Sequence, residues 1–302
     1  MPDFASRLTA VAGAVEQILD AILSAEPLRG ETARPARLLA AMRHATLDGG
    51  KRLRPFLLIE AARLFGAHND GVLRAACALE LVHCYSLVHD DLPAMDDDDL
   101  RRGRPTVHKA FDDATAILAG DALLTLAFDV MGDEPTHPDA AVRASLVVGL
   151  ARNSGLGGMA GGQMFDLDAE KAAAPLDRAA VERLQAMKTG ALLRFAVEAG
   201  GIIGGASPAD LAALSDYGAA LGAAFQIADD ILDAEGEAEQ LGKRAGKDAD
   251  RNKATLVSIL GLDAAKSLRD ELAQRAESAL APFGPGADTL RAAARFTATR
   301  DH

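Results

Sequence analysis

Residues 225–233 read Phe-Gln-Ile-Ala-Asp-Asp-Ile-Leu-Asp and set three carboxylates on an otherwise apolar helical segment. With Gln226 at zero and about 100° per residue, Asp229 falls near about −60°, Asp230 near about +40° and Asp233 near about −20°. These four polar residues share one stripe, flanked by Phe225, Ile227, Ala228, Ile231 and Leu232. A helix buried on most sides does not present three carboxylates on one face without partners. A fold for this chain must therefore give that stripe a polar setting, the bland alternative being a solvated face.

A second acidic run at 90–99, Asp-Asp-Leu-Pro-Ala-Met-Asp-Asp-Asp-Asp, crowds six carboxylates into ten residues. Such repulsion is relieved by solvent or by divalent cations. Basic residues follow both motifs. Arg101-Arg102-Gly103-Arg104 comes after the first; Leu241-Gly242-Lys243-Arg244-Ala245-Gly246-Lys247-Asp248 and then Lys253 come after the second. Lysines on a glycine-punctuated loop suit reaching over a phosphate. The pattern reads as a relay in which Asp holds Mg²⁺, Mg²⁺ holds phosphate oxygens and Arg takes the remaining oxygens through paired donors. A self-neutralising surface patch is the alternative for the first run.

A third basic site precedes both. Gly49-Gly50-Lys51-Arg52-Leu53-Arg54-Pro55 puts two glycines and three cations at a helix start. Cations there oppose the helix macrodipole, so their placement argues for an anion, and the free N–H groups add to the attraction. With no acidic motif of its own, this site suits a phosphate group held without metal.

Elsewhere the punctuation is helical. Pro55 and Gly66 bracket one helix, and Asn69 or Asp70 caps the next, which runs towards Asp91 before Pro93. Asp112 or Asp113 caps a helix to about Met131, with Gly132 as its stop. Pro175-Leu176-Asp177 opens a long helix through Lys188 to Ile203, and Ser207-Pro208-Ala209-Asp210 caps the helix that carries 229–233. The five glycines of 155–162 predict a turn or a helix that packs very tightly. No alternating β pattern of useful length occurs. A hydrophobic content of 49% supports a large core, and one all-α domain over residues 1–302 is expected. The net charge of −12 argues against a nucleic-acid binder. Cys77 and Cys84, seven apart on one helical face, read as core residues. Met1–Thr9 does not resemble a signal peptide, and no apolar run is expected to approach the roughly 20 residues that span a bilayer. A cytoplasmic protein follows. The region after Leu256 has helical composition without a motif and is assigned to packing.

The ordered segments resemble trans-prenyltransferases of the polyprenyl diphosphate synthase family. The resemblance is carried by 49–55; by His83-Cys84-Tyr85-Ser86-Leu87-Val88-His89-Asp90-Asp91-Leu92-Pro93-Ala94-Met95-Asp96 and Arg101-Arg102-Gly103; by Gly162-Gln163-Met164-Phe165-Asp166-Leu167; by Lys188-Thr189-Gly190; and by 225–233. It implies an all-α homodimer with a central cavity and an Mg²⁺-dependent head-to-tail condensation. Asp90 and Asp96, with Asp91, would hold Mg²⁺ on one side of an allylic diphosphate, and Asp229, with Asp230 and Asp233, on the other. Arg101, Lys188, Lys243 and Lys253 would bind that diphosphate, with Thr189 and Gln226 lining the site. Lys51, Arg54, His83 and Arg102 would bind isopentenyl diphosphate. Gln163 and Asp166 are supporting residues, and His89 and His108 structural ones.

Product length should be set below the first motif. Tyr85 lies five positions before Asp90, roughly 7–8 Å down the helix axis, whereas Ser86 lies directly beneath it. The aromatic residue and the four-residue spacing between Asp91 and Asp96 resemble bacterial-type farnesyl diphosphate synthases. Fifteen carbons is the expected product and twenty the alternative. A class I terpene cyclase would be richer in aromatics than the 4% found here. A non-catalytic prenyltransferase subunit would have lost acidic or lysine residues that this chain keeps.

Overall fold

The structure is a computed structural model that describes residues 4–47, 49–241 and 255–299. Its first elements are α1 (Phe4–Ile22), α2 (Ala36–Thr46), α3 (Leu53–Arg63), α4 (Asp70–Asp90), β1 (Leu100–Arg101), β2 (Arg104–Pro105), α5 (Val107–Ala110), α6 (Asp113–Gly132) and α7 (Ala140–Ser154). There follow α8 (Met159–Glu170), α9 (Arg178–Gln185), a π-helical turn (Ala186–Gly190), α10 (Ala191–Gly204) and α11 (Pro208–Leu241). The chain ends in α12 (Leu256–Leu260), α13 (Leu262–Ala279), a 3₁₀ segment (Ala281–Ala287) and α14 (Asp288–Thr299). The fold is all-α as expected; among the described residues the sheet structure is a single antiparallel hairpin of two-residue strands, β1–β2, that the sequence pattern did not signal.

Helix starts follow the predicted chemistry. Asn69 Oδ1 accepts from Val72 N–H at 3.1 Å, Asp112 Oδ1 from Thr115 N–H at 2.7 Å and Asp177 Oδ1 from Ala180 N–H at 2.8 Å. Ser207 Oγ accepts from Asp210 N–H at 3.2 Å, while Asp210 Oδ2 accepts from Ser207 N–H at 3.3 Å, a reciprocal cap on α11.

The chain packs as two compact units, Met1–Ile59 with Ala67–Val147, and Glu60–Gly66 with Val148–His302. In the first, α4 and α6 lie along one another, with α1 and α2 against them. Helices α4 and α6 are long and apolar enough by length and composition to cross a membrane, a test that buried core helices also pass; neither is an unbroken apolar run, since α4 carries Arg74 and Glu80 and α6 carries Asp121 and Asp129. In α4 that hydropathy serves the core, with 67% of its most apolar window buried, against 44% in α6. Helix α4 also carries Glu80, His83 and Asp90. Cys77 and Cys84 are free and buried there, as expected. At Gly120 of α6 a Cβ would stand 2.1 Å from His89 Nε2, so this glycine leaves the space in which His89 sits. That ring lies 3.0 Å, through Nε2, from the carbonyl oxygen of Ile117.

In the second unit α11 packs against α10, α13 and α14. The segment after Leu256 does pack: Leu256 and Ala265 join Val181, Ile227 and Ile231 in one apolar cluster. Tyr217 Oη, on α11, donates to the carbonyl of Leu290 on α14 at 2.8 Å. The helix expected from 177 to 203 forms, but residues 186–190 widen into a π turn. Such turns are often found at functional sites, and here it carries Lys188 and Thr189.

Two glycines make room for it. A Cβ at Gly162 of α8 would be 2.2 Å from Lys188 N, and one at Gly222 of α11 would be 3.0 Å from Gly190 Cα. The glycine-rich stretch is thus a turn up to Gly158 and then a tightly packed helix. Gly162→Ala is expected to cost about 1–3 kcal/mol through this backbone clash, read as a lower melting temperature together with weakened activity. A variant that melts with wild type would show that the π turn does not depend on this contact.

Candidate active site

Helix α4 ends at Asp90, and the chain then turns back on itself. Asp96 N–H donates to Asp90 O at 2.9 Å, and the Met95 and Asp97 amides donate to Leu92 O at 2.8 and 3.2 Å. The two ends of the first motif, Asp90 and Asp96, therefore close one hydrogen-bonded turn. Neighbouring carboxylates are committed to local cations. Asp91 Oδ1 accepts from Arg101 Nε at 2.7 Å, Asp98 lies 3.7 Å from the same guanidinium, and Lys109 Nζ pairs with Asp99 at 2.8 Å. Asp91 is 3% exposed. Burial raises its pKa while Arg101 holds it down. Asp91 and Arg101, expected as a metal ligand and a diphosphate ligand, thus meet each other directly.

The arginines leave this loop through the β1–β2 hairpin. Its turn residues Arg102 and Gly103 have φ of 54° and 74°, and positive φ at both central positions marks a type I′ turn. The guanidinium of Arg102 lies against Gly50, where a Cβ would stand 2.5 Å from Nη1. Gly50 is also at φ +91°. The glycine pair before Lys51 therefore admits an arginine from a distant hairpin, a contact that spacing alone could not reveal.

Of the three cations expected to draw an anion to the start of α3, Arg52 does not serve. Its side chain is 1% exposed and donates to Glu80 at 2.7 Å, to Glu16 at 2.7 Å and to Thr46 O. An internal acid from α4 answers this charge, so the misplacement against the helix dipole is resolved there without an external anion. The signal was present: Glu80 sits inside the apolar run Cys77-Ala78-Leu79-Glu80-Leu81-Val82 and needed a partner. Lys51 is exposed, and Arg54 Nη1 lies 3.5 Å from His83 Nε2. Burial, then the charges of Arg54, Arg102, Arg52 and Arg101, push His83 well below the usual imidazole range. The ring is neutral among arginines.

In the second unit the π turn and α11 share a polar network. Lys188 Nζ pairs with Asp166 at 2.6 Å, and Thr189 Oγ1 donates to Gln226 Oε1 at 2.9 Å. Asp230 is buried and takes three donors: Gln185 Nε2 at 2.8 Å, Gln226 Nε2 at 3.3 Å and Leu256 N–H at 3.3 Å. Burial raises its pKa against these bonds. Of the predicted trio, Asp230 is therefore turned into the packing, Asp229 is half-buried and Asp233 is exposed. A cavity of about 210 Å³ is lined by Asp166, Gln185, Lys188, Gln226, Asp230 and Asp233, among others. Gln185 had not been anticipated; only its place one helical turn before Lys188 could have flagged it. Lys243 and Lys253 lie outside the described residues.

Below Asp90, Tyr85 is partly buried with its ring edge-on to His89 at 5.8 Å, and burial followed by the charge of Asp90 raises its pKa. Ser86 Oγ donates back to His83 O at 2.8 Å. His108 Nδ1 is 3.1 Å from Thr106 Oγ1, which itself donates to Asp98 O at 2.8 Å.

The donors on offer in both motifs are carboxylate oxygens, the set that Mg²⁺ prefers. Among the described residues no three His, Cys, Asp or Glu side chains form a ready-made metal cluster. A cation that takes one or two carboxylates and completes its shell with water and phosphate oxygens fits that donor set.

The polyprenyl synthetase profile matches residues 35–281. The chain belongs to the polyprenyl synthetase family. It is 43% identical over 281 residues to farnesyl diphosphate synthase of Escherichia coli (strain K12), covering 92% of this chain and 91% of that one. It is 40% identical over 303 residues to a chloroplastic geranylgeranyl pyrophosphate synthase of Catharanthus roseus, covering 99% and 82%. The crystal structure of an FPP/GFPP synthase from Zymomonas mobilis is similar with a TM-score of 0.88 at 42% identity, covering 98% and 99%. Within this polyprenyl synthetase, then, the motif residues divide into a buried, internally paired set and a set nearer solvent.

That division is testable by stability. Arg52→Met leaves Glu80 buried without its partner and is expected to cost about 3–5 kcal/mol in denaturant melts, with Arg52→Met/Glu80→Met recovering part of the loss. An Arg52→Met melt equal to wild type would show that the Arg52–Glu80 pair does not stabilise the fold. For His83 the sign is fixed by its neutral folded form. An unfolded imidazole gains a proton near 6.5 and the folded one does not. The stability it contributes is therefore complete above that value and declines below it, by up to about 1.4 kcal/mol per pH unit. His83→Gln should flatten the fall in melting temperature between about pH 7 and 5; an unaltered slope would contradict the assignment.

Proposed function

We propose that this chain, acting as one catalytic domain over residues 1–302, condenses isopentenyl diphosphate head-to-tail with dimethylallyl and geranyl diphosphates. The products are farnesyl diphosphate and pyrophosphate. The reading is carried by one observation. Asp90 and Asp96 close a single turn beside a cationic hairpin, while Arg54 Nη1 lies 3.5 Å from His83 Nε2 and the Arg102 guanidinium rests on Gly50. The first arrangement suits a metal-bound diphosphate and the second a diphosphate bound by side chains. Relatives named farnesyl diphosphate synthase at 40–46% identity support the same chemistry.

Mg²⁺ would be held by Asp90 and Asp96 with Asp91, and by Asp229 and Asp233 with Asp230, and supplies positive charge to the leaving diphosphate. Arg101, Lys188, Lys243 and Lys253 bind the allylic diphosphate, with Thr189 and Gln226 beside it. As the allylic C–O bond breaks, negative charge grows on the departing oxygen, and these cations stabilise it. Asp166 holds the Lys188 ammonium in place by their 2.6 Å pair. Lys51, Arg54, His83 and Arg102 orient isopentenyl diphosphate so that its double bond attacks the allylic carbon. The proton lost afterwards goes to the departed pyrophosphate, so no side-chain nucleophile is needed.

Farnesyl diphosphate is the product favoured by Tyr85 below Asp90. The geranylgeranyl pyrophosphate synthase relative keeps a twenty-carbon product as the second reading. A class I cyclase or a non-catalytic subunit is disfavoured by the complete set of both acidic motifs. We further propose a cytoplasmic homodimer.

Incubation with isopentenyl and dimethylallyl diphosphates is expected to give chiefly a fifteen-carbon product that disappears with chelator and returns with Mg²⁺. Elongation that persists unchanged after metal removal would reject the mechanism. Asp90→Asn and Asp229→Asn should each lower kcat by about 10²-fold or more. Tyr85→Ala should shift the product to longer chains, and an unaltered chain-length profile would sink Tyr85 as the floor of the site.

A further inference from the structure

We infer that Arg104 and His44 are positioning residues, a strap that holds the Arg101–Arg102 hairpin against the Gly49–Gly50 loop and so sets Arg102 for isopentenyl diphosphate. The inference rests on the reading of Arg102 as a ligand of that substrate. Neither Arg104 nor His44 is among the residues proposed to touch it.

The hairpin cannot hold itself. Its strands are two residues each, and an isolated two-stranded ribbon is marginal even when longer. Its turn also keeps a non-glycine residue, Arg102, at positive φ, a conformation that persists only where surroundings enforce it. The enforcement comes from Arg104, the cross-strand partner of Arg101. Arg104 Nη1 donates to Leu47 O at 3.2 Å, and Nη2 lies 3.2 Å from His44 Nδ1. His44 Nε2 lies 2.8 Å from Pro105 O.

The donors settle the tautomer. A guanidinium has no acceptor, so His44 Nδ1 must offer a lone pair, and a carbonyl has no donor, so Nε2 carries the proton. One neutral imidazole satisfies both, bridging Arg104 and the next residue of β2. The ring is steadied edge-on by Phe111 at 5.9 Å. Leu47, at the far end of the strap, lies two residues before Gly49. Arg104 therefore ties together the loop on which the Arg102 guanidinium rests and the hairpin whose turn carries Arg102.

The test is a double-mutant cycle on purified enzyme, with steady-state kinetics in isopentenyl diphosphate and a thermal melt for each variant. Arg102→Met should raise the KM for isopentenyl diphosphate. Arg104→Met should raise it about tenfold with kcat within about threefold, the signature of lost ground-state binding. In the Arg102→Met background, Arg104→Met should change KM by less than about twofold, because it acts through the missing side chain. Should Arg104→Met fail to fold, His44→Phe carries the same cycle, since it keeps the ring against Phe111 and removes both hydrogen bonds.

If Arg102→Met raises KM and the strap variants do not, the strap is overturned while Arg102 stands as a ligand. Effects that multiply in the double variant also overturn it, because Arg104 would then act on its own. A lower melting temperature with unchanged KM makes Arg104 merely structural and rejects the proposal. If Arg102→Met leaves KM unchanged, the ligand reading fails first and the strap with it.

Discussion

A charge taken out of water in a helical interior persists only where an opposite charge or a full set of donors meets it. Much of the site depends on that constraint. Arg52 is met by Glu80 and Glu16, Asp91 by Arg101, and Asp230 by Gln185, Gln226 and the Leu256 amide. Each buried group fixes a backbone segment beside residues proposed to handle substrate. Arg52 sets the loop of Lys51 and Arg54 against α4, the helix of His83 and Asp90. Asp91 anchors the acidic turn to the arginine hairpin, and Asp230 ties α11 to the ends of α9 and α12. In each motif a charged residue tied to the protein itself stands beside residues proposed to handle substrate.

Small residues supply the second half of the arrangement. Gly162 and Gly222 let α8 and α11 reach the backbone of the π turn, and the widened turn carries Lys188 and Thr189. Gly50 admits the Arg102 guanidinium, and Gly120 admits the His89 ring. Close approach of this kind places polar side chains by backbone contact, so their positions do not rely on long flexible stems alone. A site on such supports is held by the packing of the helices that carry it.

The helix framework was legible in the sequence because its determinants are local. Asn69, Asp112, Asp177 and Ser207 cap helices through amides three residues on, an interaction that needs no distant partner. The candidate site was legible as a set of residue types with telling spacings. What escaped was pairing at long range. Arg52 looked like one more cation for an anion, since Glu80 lies 28 positions away and on another helix. The hairpin at 100–105 escaped because two-residue strands have no period to detect. Charged residues such as Glu80 of α4 and Asp121 of α6 interrupt stretches that are nonetheless apolar on average.

By itself the sequence determined an all-α chain, two acidic motifs followed by basic segments, and a third basic site without acid. Those features follow from side-chain period, local capping and like-charge repulsion, which act over a few residues. Only the tertiary structure decided which member of each cluster is committed. It turned Arg52 inward to Glu80, gave Asp91 to Arg101, sealed Asp230 under three donors and laid Arg102 on Gly50. The physical reason is that desolvation is a property of place. The same carboxylate or guanidinium is a ligand at the surface of a cleft and a structural bolt a few ångströms below it, and only packing assigns the depth.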